Sequence, residues 1–157
     1  MISNIHQSRW SIPSGVSSSY SANGWKYGNA SSYVSFYLET LISNPSSIEF
    51  TLNDFDVHYS DVPNFRLVDS NKSNPIPLFN IPFNTSSTIY FCDQSTSHTA
   101  LKGAIYRIEV NSNSASLYEN DVLIKTVSQT FHQSMKLRTT TGTQRYVQIK
   151  DLKIKRL

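Results

Sequence analysis

Residues Tyr106–Lys125 read YRIEVNSNSASLYENDVLIK, and this stretch decides the fold. Apolar side chains fall at Tyr106, Ile108 and Val110, then at Ala115 and Leu117, then at Val122 and Ile124. A period of two belongs to strands with one face buried, and no 3.6-residue period competes with it. The two breaks are Asn111–Ser114 and the Asn120-Asp121 pair. Both are rich in side chains that accept a left-handed backbone and bond their own main chain, which favours tight hairpins. Three strands in an antiparallel meander follow.

The same pattern extends in both directions. Further strands are expected at Ser35–Ile42, Ile48–Tyr59, Asn64–Asp69, Pro77–Ile81, Thr88–Asp93, Ser134–Thr140 and Arg145–Leu157, with Ser, Asn, Pro and Thr clusters between them. Two of these change phase. Ile48, Phe50 and Leu52 share one parity while Phe55, Val57 and Tyr59 take the other; Val147 and Ile149 are likewise out of step with Leu152 and Ile154. One extra residue at each shift is the mark of a β-bulge, expected at Asn53-Asp54 and Lys150-Asp151. Strands without helices must bury their apolar faces against each other, so the expected fold is all-β: a single domain, residues 1–157, of two packed antiparallel sheets. Residues 11–33 show no lasting periodicity and are expected to form a long loop-rich segment, of a length that usually carries function.

The 157-residue chain can bury a real core without staples, and its one cysteine, Cys92, excludes an internal disulfide. Cys92 is expected as a small buried hydrophobe in the strand Thr88–Asp93. Charged residues are only 16% of the chain, so hydroxyls and amides must cover much of the surface. Aromatics reach 12%, with nine tyrosines, more than a core of this size needs; some rings are expected outside, where Tyr and Trp offer an apolar face with a polar handle. A net charge of +3 does not indicate nucleic acid. No apolar run approaches the length of a membrane span, and the N-terminus lacks the apolar core of a signal peptide. From residue 136 onward Lys136, Arg138, Arg145, Lys150, Lys153, Lys155 and Arg156 face only Asp151. These are either solvated strand faces that guard a sheet edge or a surface for an anionic partner, such as an acidic glycan or a phosphate-bearing polymer.

The order of SIEFTLNDF (Ser47–Phe55), YRIEVNSNSASLYENDVLIK and VQIKDLKIKRL (Val147–Leu157) resembles the concanavalin A-like, laminin-G-type jelly roll over roughly residues 46–157. The chain has Asp121 where that pattern prefers a glycine. The resemblance implies the sandwich fold. It leaves activity open, because the same fold hosts lectins, carbohydrate-binding modules, adhesion domains, virus-associated domains and glycosidases.

The residues narrow that set. A glycosidase of this fold carries carboxylates as Glu-x-Asp-x-(x)-Glu on one strand face, and hydrolysis needs two of them across the sugar bond. The nearest stretch starts at Glu49 but has Thr51 and Asn53 at the later places. His6, His58, His98 and His132 are isolated, and no serine sits in an elbow motif. Laminin-G-type domains often hold Ca²⁺ through oxygen ligands; Asp54 and Asp56, adjacent at the expected bulge, are the candidates. Sugars stack C–H faces on Trp and Tyr, and GWKYGN (Gly24–Asn29) places Trp25 and Tyr27 two apart in the irregular segment. If extended, that segment presents both rings as a platform; alternatively Trp25 plugs an open end of the sandwich. Tyr37 lies on the polar parity of its strand, and Arg138 and Arg145 bracket the loop TTTGTQ (Thr139–Gln144) as a rim for an anionic sugar.

The ligand-binding candidates are therefore Trp25, Tyr27, Tyr37, Arg138 and Arg145, with no catalytic residues and no cofactor beyond the candidate Ca²⁺. The leading expectation is a non-catalytic carbohydrate-recognition module, extracellular or on a virion or cell surface, that attaches to a glycan as part of a phage tail or a microbial adhesin. The alternative is a structural domain contacting only protein, in a homo-oligomer or larger assembly. A glycoside hydrolase ranks last.

Overall fold

The computed structural model describes residues 3–28, 30, 33–56, 63–82, 86–142 and 146–157. In chain order the strands are β1 (Ser3–Asn4), β2 (Ser17–Ser21), β3 (Gly24–Gly28), β4 (Val34–Tyr37), β5 (Ile42–Ser43), β6 (Ser46–Phe55), β7 (Asn64–Asp69), β8 (Ile76–Asn80), β9 (Thr88–Phe91), β10 (Gln94–Thr99), β11 (Ala104–Val110), β12 (Ser114–Glu119), β13 (Val122–Ser128), β14 (Ser134–Thr141) and β15 (Tyr146–Arg156). One sheet runs β13-β12-β11-β6-β15-β3-β2, with β1 beside β15. The other runs β10-β9-β8-β7-β14-β4, with β5 beside β14. The described strand pairs are all antiparallel, so the meander of β11, β12 and β13 forms one flank of the first sheet.

Alternation sets which face of each strand is buried. Phe50, Leu52, Tyr106, Ile108, Leu117, Val147 and Ile149 of the first sheet meet Phe36, Phe65, Leu67, Phe79, Phe91, Met135 and Leu137 of the second. Two aromatic nests bridge the sheets. Trp10, Trp25, Tyr27 and Phe36 pack at centroid distances of 4.3–6.1 Å, and Phe50, Phe65, Phe79 and Tyr106 pack at 5.2–6.4 Å. Each buried aromatic of this kind contributes about 1.5–3 kcal/mol from area alone.

Both expected bulges are present. Gln148 pairs Asp54 and Ile149 pairs Leu52, leaving Asn53 as the extra residue; Lys150 pairs Thr51 and Lys153 pairs Glu49, with Asp151 at φ +53° between them. The expected extension of β6 past residue 56 lies outside the described residues. Asn120 and Asp121 have φ of +47° and +66°, the paired left-handed conformation of a type I′ turn, so aspartate serves where glycine is usual.

Two expectations are corrected. Within the segment 11–33 expected to be loop-rich, residues 17–28 are a hairpin: β2 and β3 pair on the edge of the first sheet, beside β15. All five residues of β2 are exposed, so no apolar alternation could reveal the strand. Cys92 lies in a turn, not a strand. With φ of +51° at Cys92 and +61° at Asp93, this pair joins β9 to β10, a strand whose sequence QSTSHT carries no apolar alternation. Cys92 is buried all the same, and burial first, then the Asp93 charge, push its thiol up to about 12.

Gly24 makes the β2–β3 hairpin fit. Its φ is +105°, and a Cβ there would stand 2.4 Å from the Ile149 carbonyl oxygen. Gly24→Ala is expected to cost about 2 kcal/mol, combining left-handed strain with a displaced backbone contact, read from the urea midpoint at unchanged slope.

Candidate functional site

The seven-stranded sheet turns Phe36, Leu137, Thr139, Phe65 and Leu67 inward, so the residues between them face outward. Register then brings Tyr37, Arg138 and Arg66 side by side: Arg138 on β14 is the Cα partner of Tyr37 on β4 and of Arg66 on β7. Pro77 of β8 stands opposite Arg66 and continues the row. Strands lie roughly 4.8 Å apart, so the row spans roughly 14 Å. A parallel row holds Ser35 and Thr140, which share a hydrogen bond of 3.0 Å. Beyond it come Asn64 opposite Asn80, Asn80 opposite Tyr90, and Tyr90 opposite Ser95. Tyr37, Tyr90, Arg66, Arg138 and Asn80 thus share one accessible face, in which Asn64 and Thr140 are buried.

The charges on this face are unequal. Glu39 takes hydrogen bonds from Lys72 at 2.8 Å and Lys136 at 2.9 Å, which hold its carboxyl at about 2, Lys72 acting most strongly. Lys72 also stands 5.0 Å over the Tyr37 ring. One carboxylate therefore serves two lysines. Among the described residues no acidic group pairs with Arg66 or Arg138, both half-buried, and the Arg138 Nε is buried with no hydrogen-bond partner. Like charges directly opposite on a ladder are destabilising, and a buried N–H without an acceptor costs about 1–3 kcal/mol.

The structure thus joins Tyr37 and Arg138, while Arg145 lies outside the described residues. It removes Trp25 and Tyr27 from the expected platform. Their two-residue spacing does put both rings on one side of β3, but that side is the core: Trp25 is 3% exposed and Tyr27 1%. Trp25 Nε1 donates to Ser18 Oγ at 2.7 Å. Tyr27 Oη bonds Thr139 Oγ1 of the opposite sheet at 2.8 Å, and burial first of all drives its hydroxyl well above the usual tyrosine range. The reading of Trp25 as a core plug is the one the structure supports.

Around Asp54 and Asp56, as elsewhere among the described residues, no group of three His, Cys, Asp or Glu side chains converges, so a Ca²⁺ there would need main-chain oxygens as its further ligands. Asp54 accepts from the Phe55 N–H at 2.9 Å and from Tyr146 Oη at 3.2 Å, and pairs with Lys102 at 2.9 Å. Partial burial works to raise its carboxyl, yet these donors outweigh it and the net direction is down. A cation would have to displace that ammonium.

Arg66, Asn64, Asn80 and Tyr90 were missed by sequence reasoning. Phe65 and Leu67 facing inward already imply that Asn64 and Arg66 face outward, but which strand lies beside β7 is a long-range fact that alternation does not carry.

A hollow of about 290 Å³ lies on the outer face of the eight-stranded sheet, between Glu49, Arg107, Glu109, Lys153 and Lys155. Arg107 is opposite Glu49, and Glu109 is the diagonal neighbour, roughly 7–8 Å away between Cα atoms. Arg107 Nε lies 3.3 Å from Glu109 Oε1, and Lys153 is the other cross-strand partner of Glu49.

No family model matches this chain, and no curated protein matches it either. Solved structures do. A carbohydrate-binding module, CBM66 from Bacillus subtilis, superposes with a TM-score of 0.59 at 10% identity over 92% of this chain and 93% of that one. The Crh5 transglycosylase in complex with NAG gives 0.67 at 10% identity over 99% and 83%. An endo-β-1,3-glucanase from Pyrococcus furiosus gives 0.55 at 10% identity over 76% and 65%. The likeness shows the fold: the chain has the two-sheet, concanavalin A-like jelly-roll fold that the sequence resemblance implies. One neighbour is a binding module and two are enzymes, so activity must be argued from this chain's own residues.

Proposed function

We propose that this jelly roll is a non-catalytic carbohydrate-recognition module that binds a cell-surface glycan across the outer face of the seven-stranded sheet. The observation that carries the reading is the Tyr37–Arg138–Arg66 row, an aromatic ring beside two arginines that no acidic group among the described residues pairs. A tyrosine ring accepts the C–H face of a sugar, while guanidinium and the amide of half-buried Asn80 match its hydroxyls and ring oxygen. The carbohydrate-binding and carbohydrate-active neighbours of the fold support the same class of ligand. Attachment to a cell surface, from a phage tail or an adhesin, is the setting in which such a module works.

A glycan array followed by titration calorimetry tests this. Tyr37→Ala is expected to weaken binding about tenfold, equivalent to about 1.4 kcal/mol, with a smaller loss of melting temperature than a core aromatic would give because the ring is only half-buried. No binding to any glycan, together with a stable oligomer in size-exclusion chromatography, would instead favour an assembly domain that contacts only protein.

One observation favours a second reading. Glu49 and Glu109 are diagonal neighbours on one sheet face, the two-carboxylate requirement of a glycosidase, beside a hollow of about 290 Å³. Arg107 and Lys153 occupy the positions across the ladder from Glu49, however, and Arg107 also reaches Glu109. The expected result of a reducing-sugar assay is no release; release that Glu49→Gln abolishes would replace binding with hydrolysis.

A further inference from the structure

From the same face we infer the chemical class of the ligand: Arg66 and Arg138 form an oxyanion clamp, and the glycan they hold is acidic, bearing a carboxylate, sulfate or phosphate group. This rests on the glycan-binding reading of the face. The two residues are Cα partners on neighbouring strands, so their guanidinium groups begin from backbones only about 5 Å apart. The nearby carboxylate, Glu39, is committed to Lys72 and Lys136, the described residues offer no acidic partner to either arginine, and Arg138 Nε is buried without an acceptor.

Two apposed, unpaired cations in a folded protein are repulsive until an anion sits between them. The planar fork of arginine suits that anion, because it offers parallel N–H donors to two oxygens at once, and neighbouring forks converge four or more donors on one group. Lys136, on the same parity of β14 as Arg138, adds to the positive field. Tyr37 on one side and Pro77 on the other border the pair with flat apolar surface. A sugar ring seated on Tyr37, where it would take the place of the Lys72 ammonium that stands 5.0 Å over the ring, would carry its acidic substituent towards the arginines. A neutral sugar would use the ring and leave the clamp repulsive.

The test measures binding of the full chain to polygalacturonate, dextran sulfate and poly(glycerol phosphate), with dextran and laminarin as neutral polymers, at low and high salt. The expected result is preference for at least one acidic polymer, an affinity that falls as salt rises, and a loss of tenfold or more in Arg66→Gln and in Arg138→Gln. Which acidic polymer binds identifies carboxylate, sulfate or phosphate as the group. Arg138→Lys is expected to recover part of the affinity, since charge returns without the fork. Lys155→Gln, on the other sheet, is expected to bind as the parent does; an equal loss there would mean diffuse attraction to a basic protein and would overturn the clamp.

In the absence of polymer, Arg66→Gln is expected to keep or raise the melting temperature, because it relieves repulsion. A drop of several degrees would give Arg66 a structural role and overturn the inference. Neutral polymers bound as tightly as acidic ones, with both arginine variants unaffected, would also overturn it while leaving glycan recognition in place. No polymer bound at all would overturn both.

Discussion

Replacing Trp25 with alanine is expected to cost about 3–5 kcal/mol of folding stability, the range for removing a large aromatic from a packed core. The indole is 3% exposed and lies 5.1 Å from Trp10 and 4.3 Å from Tyr27 by ring centroids. Its Nε1 donates to Ser18 Oγ at 2.7 Å, so truncation also removes a tie between β3 and the edge strand β2. Tyr27→Ala is expected in the same range, since it empties the neighbouring volume and leaves Thr139 Oγ1, on the opposite sheet, without its partner. The two rings touch, so their losses will not add simply. Together they still consume most of the roughly 5–15 kcal/mol that a domain of ordinary stability has available, and the double variant is expected to show no cooperative melt at 37 °C. Circular dichroism melts decide the matter. If both single variants melt within 2 °C of the parent while glycan binding disappears, the rings are a surface platform after all.

This prediction reverses what the sequence suggests, and the reason is physical. The spacing of Trp25 and Tyr27 correctly implies one shared side of an extended segment. It says nothing of whether that side faces water or the other sheet, and the usual guide, apolar alternation in the paired strand, is missing because β2 is a serine-rich edge exposed at every residue. Where alternation persists, the fold is legible: β11, β12 and β13, the bulges at Asn53 and Asp151 and the turn at Asn120-Asp121 all follow from period and phase. Half of the candidate site is legible on the same grounds. The parity of β4 turns Tyr37 outward and that of β14 turns Arg138 outward, but their meeting, and the approach of Arg66 from β7, depend on strand order in the sheet. Strand order is set by how all the apolar faces pack at once, and no local window of sequence contains it.

Glu119→Leu is expected to destabilise the protein by about 3 kcal/mol. Glu119 is 8% exposed, and its carboxylate accepts from the Tyr106 hydroxyl at 2.6 Å while its other oxygen meets His98 Nε2 at 2.8 Å. Tyr106 belongs to β11 and Glu119 to β12 of one sheet; His98 comes from β10, the edge of the other. The network therefore ties the two sheets together. Tyr106 Oη also accepts from the Leu101 N–H at 2.9 Å, so its own proton has Glu119 as the acceptor on hand, and burial followed by the Glu119 bond drives this hydroxyl far above the ordinary tyrosine range. Leucine restores volume but no acceptor, stranding a buried donor at about 1–3 kcal/mol and forfeiting a bond to a charged group worth about 1.5–3 kcal/mol. Glu119→Gln, which retains an acceptor oxygen, is expected to lose less than half as much. A double-mutant cycle with Tyr106→Phe isolates the bond: removing both partners should cost clearly less than the sum of the single losses. Strict additivity in urea unfolding would show that Glu119 acts through packing alone.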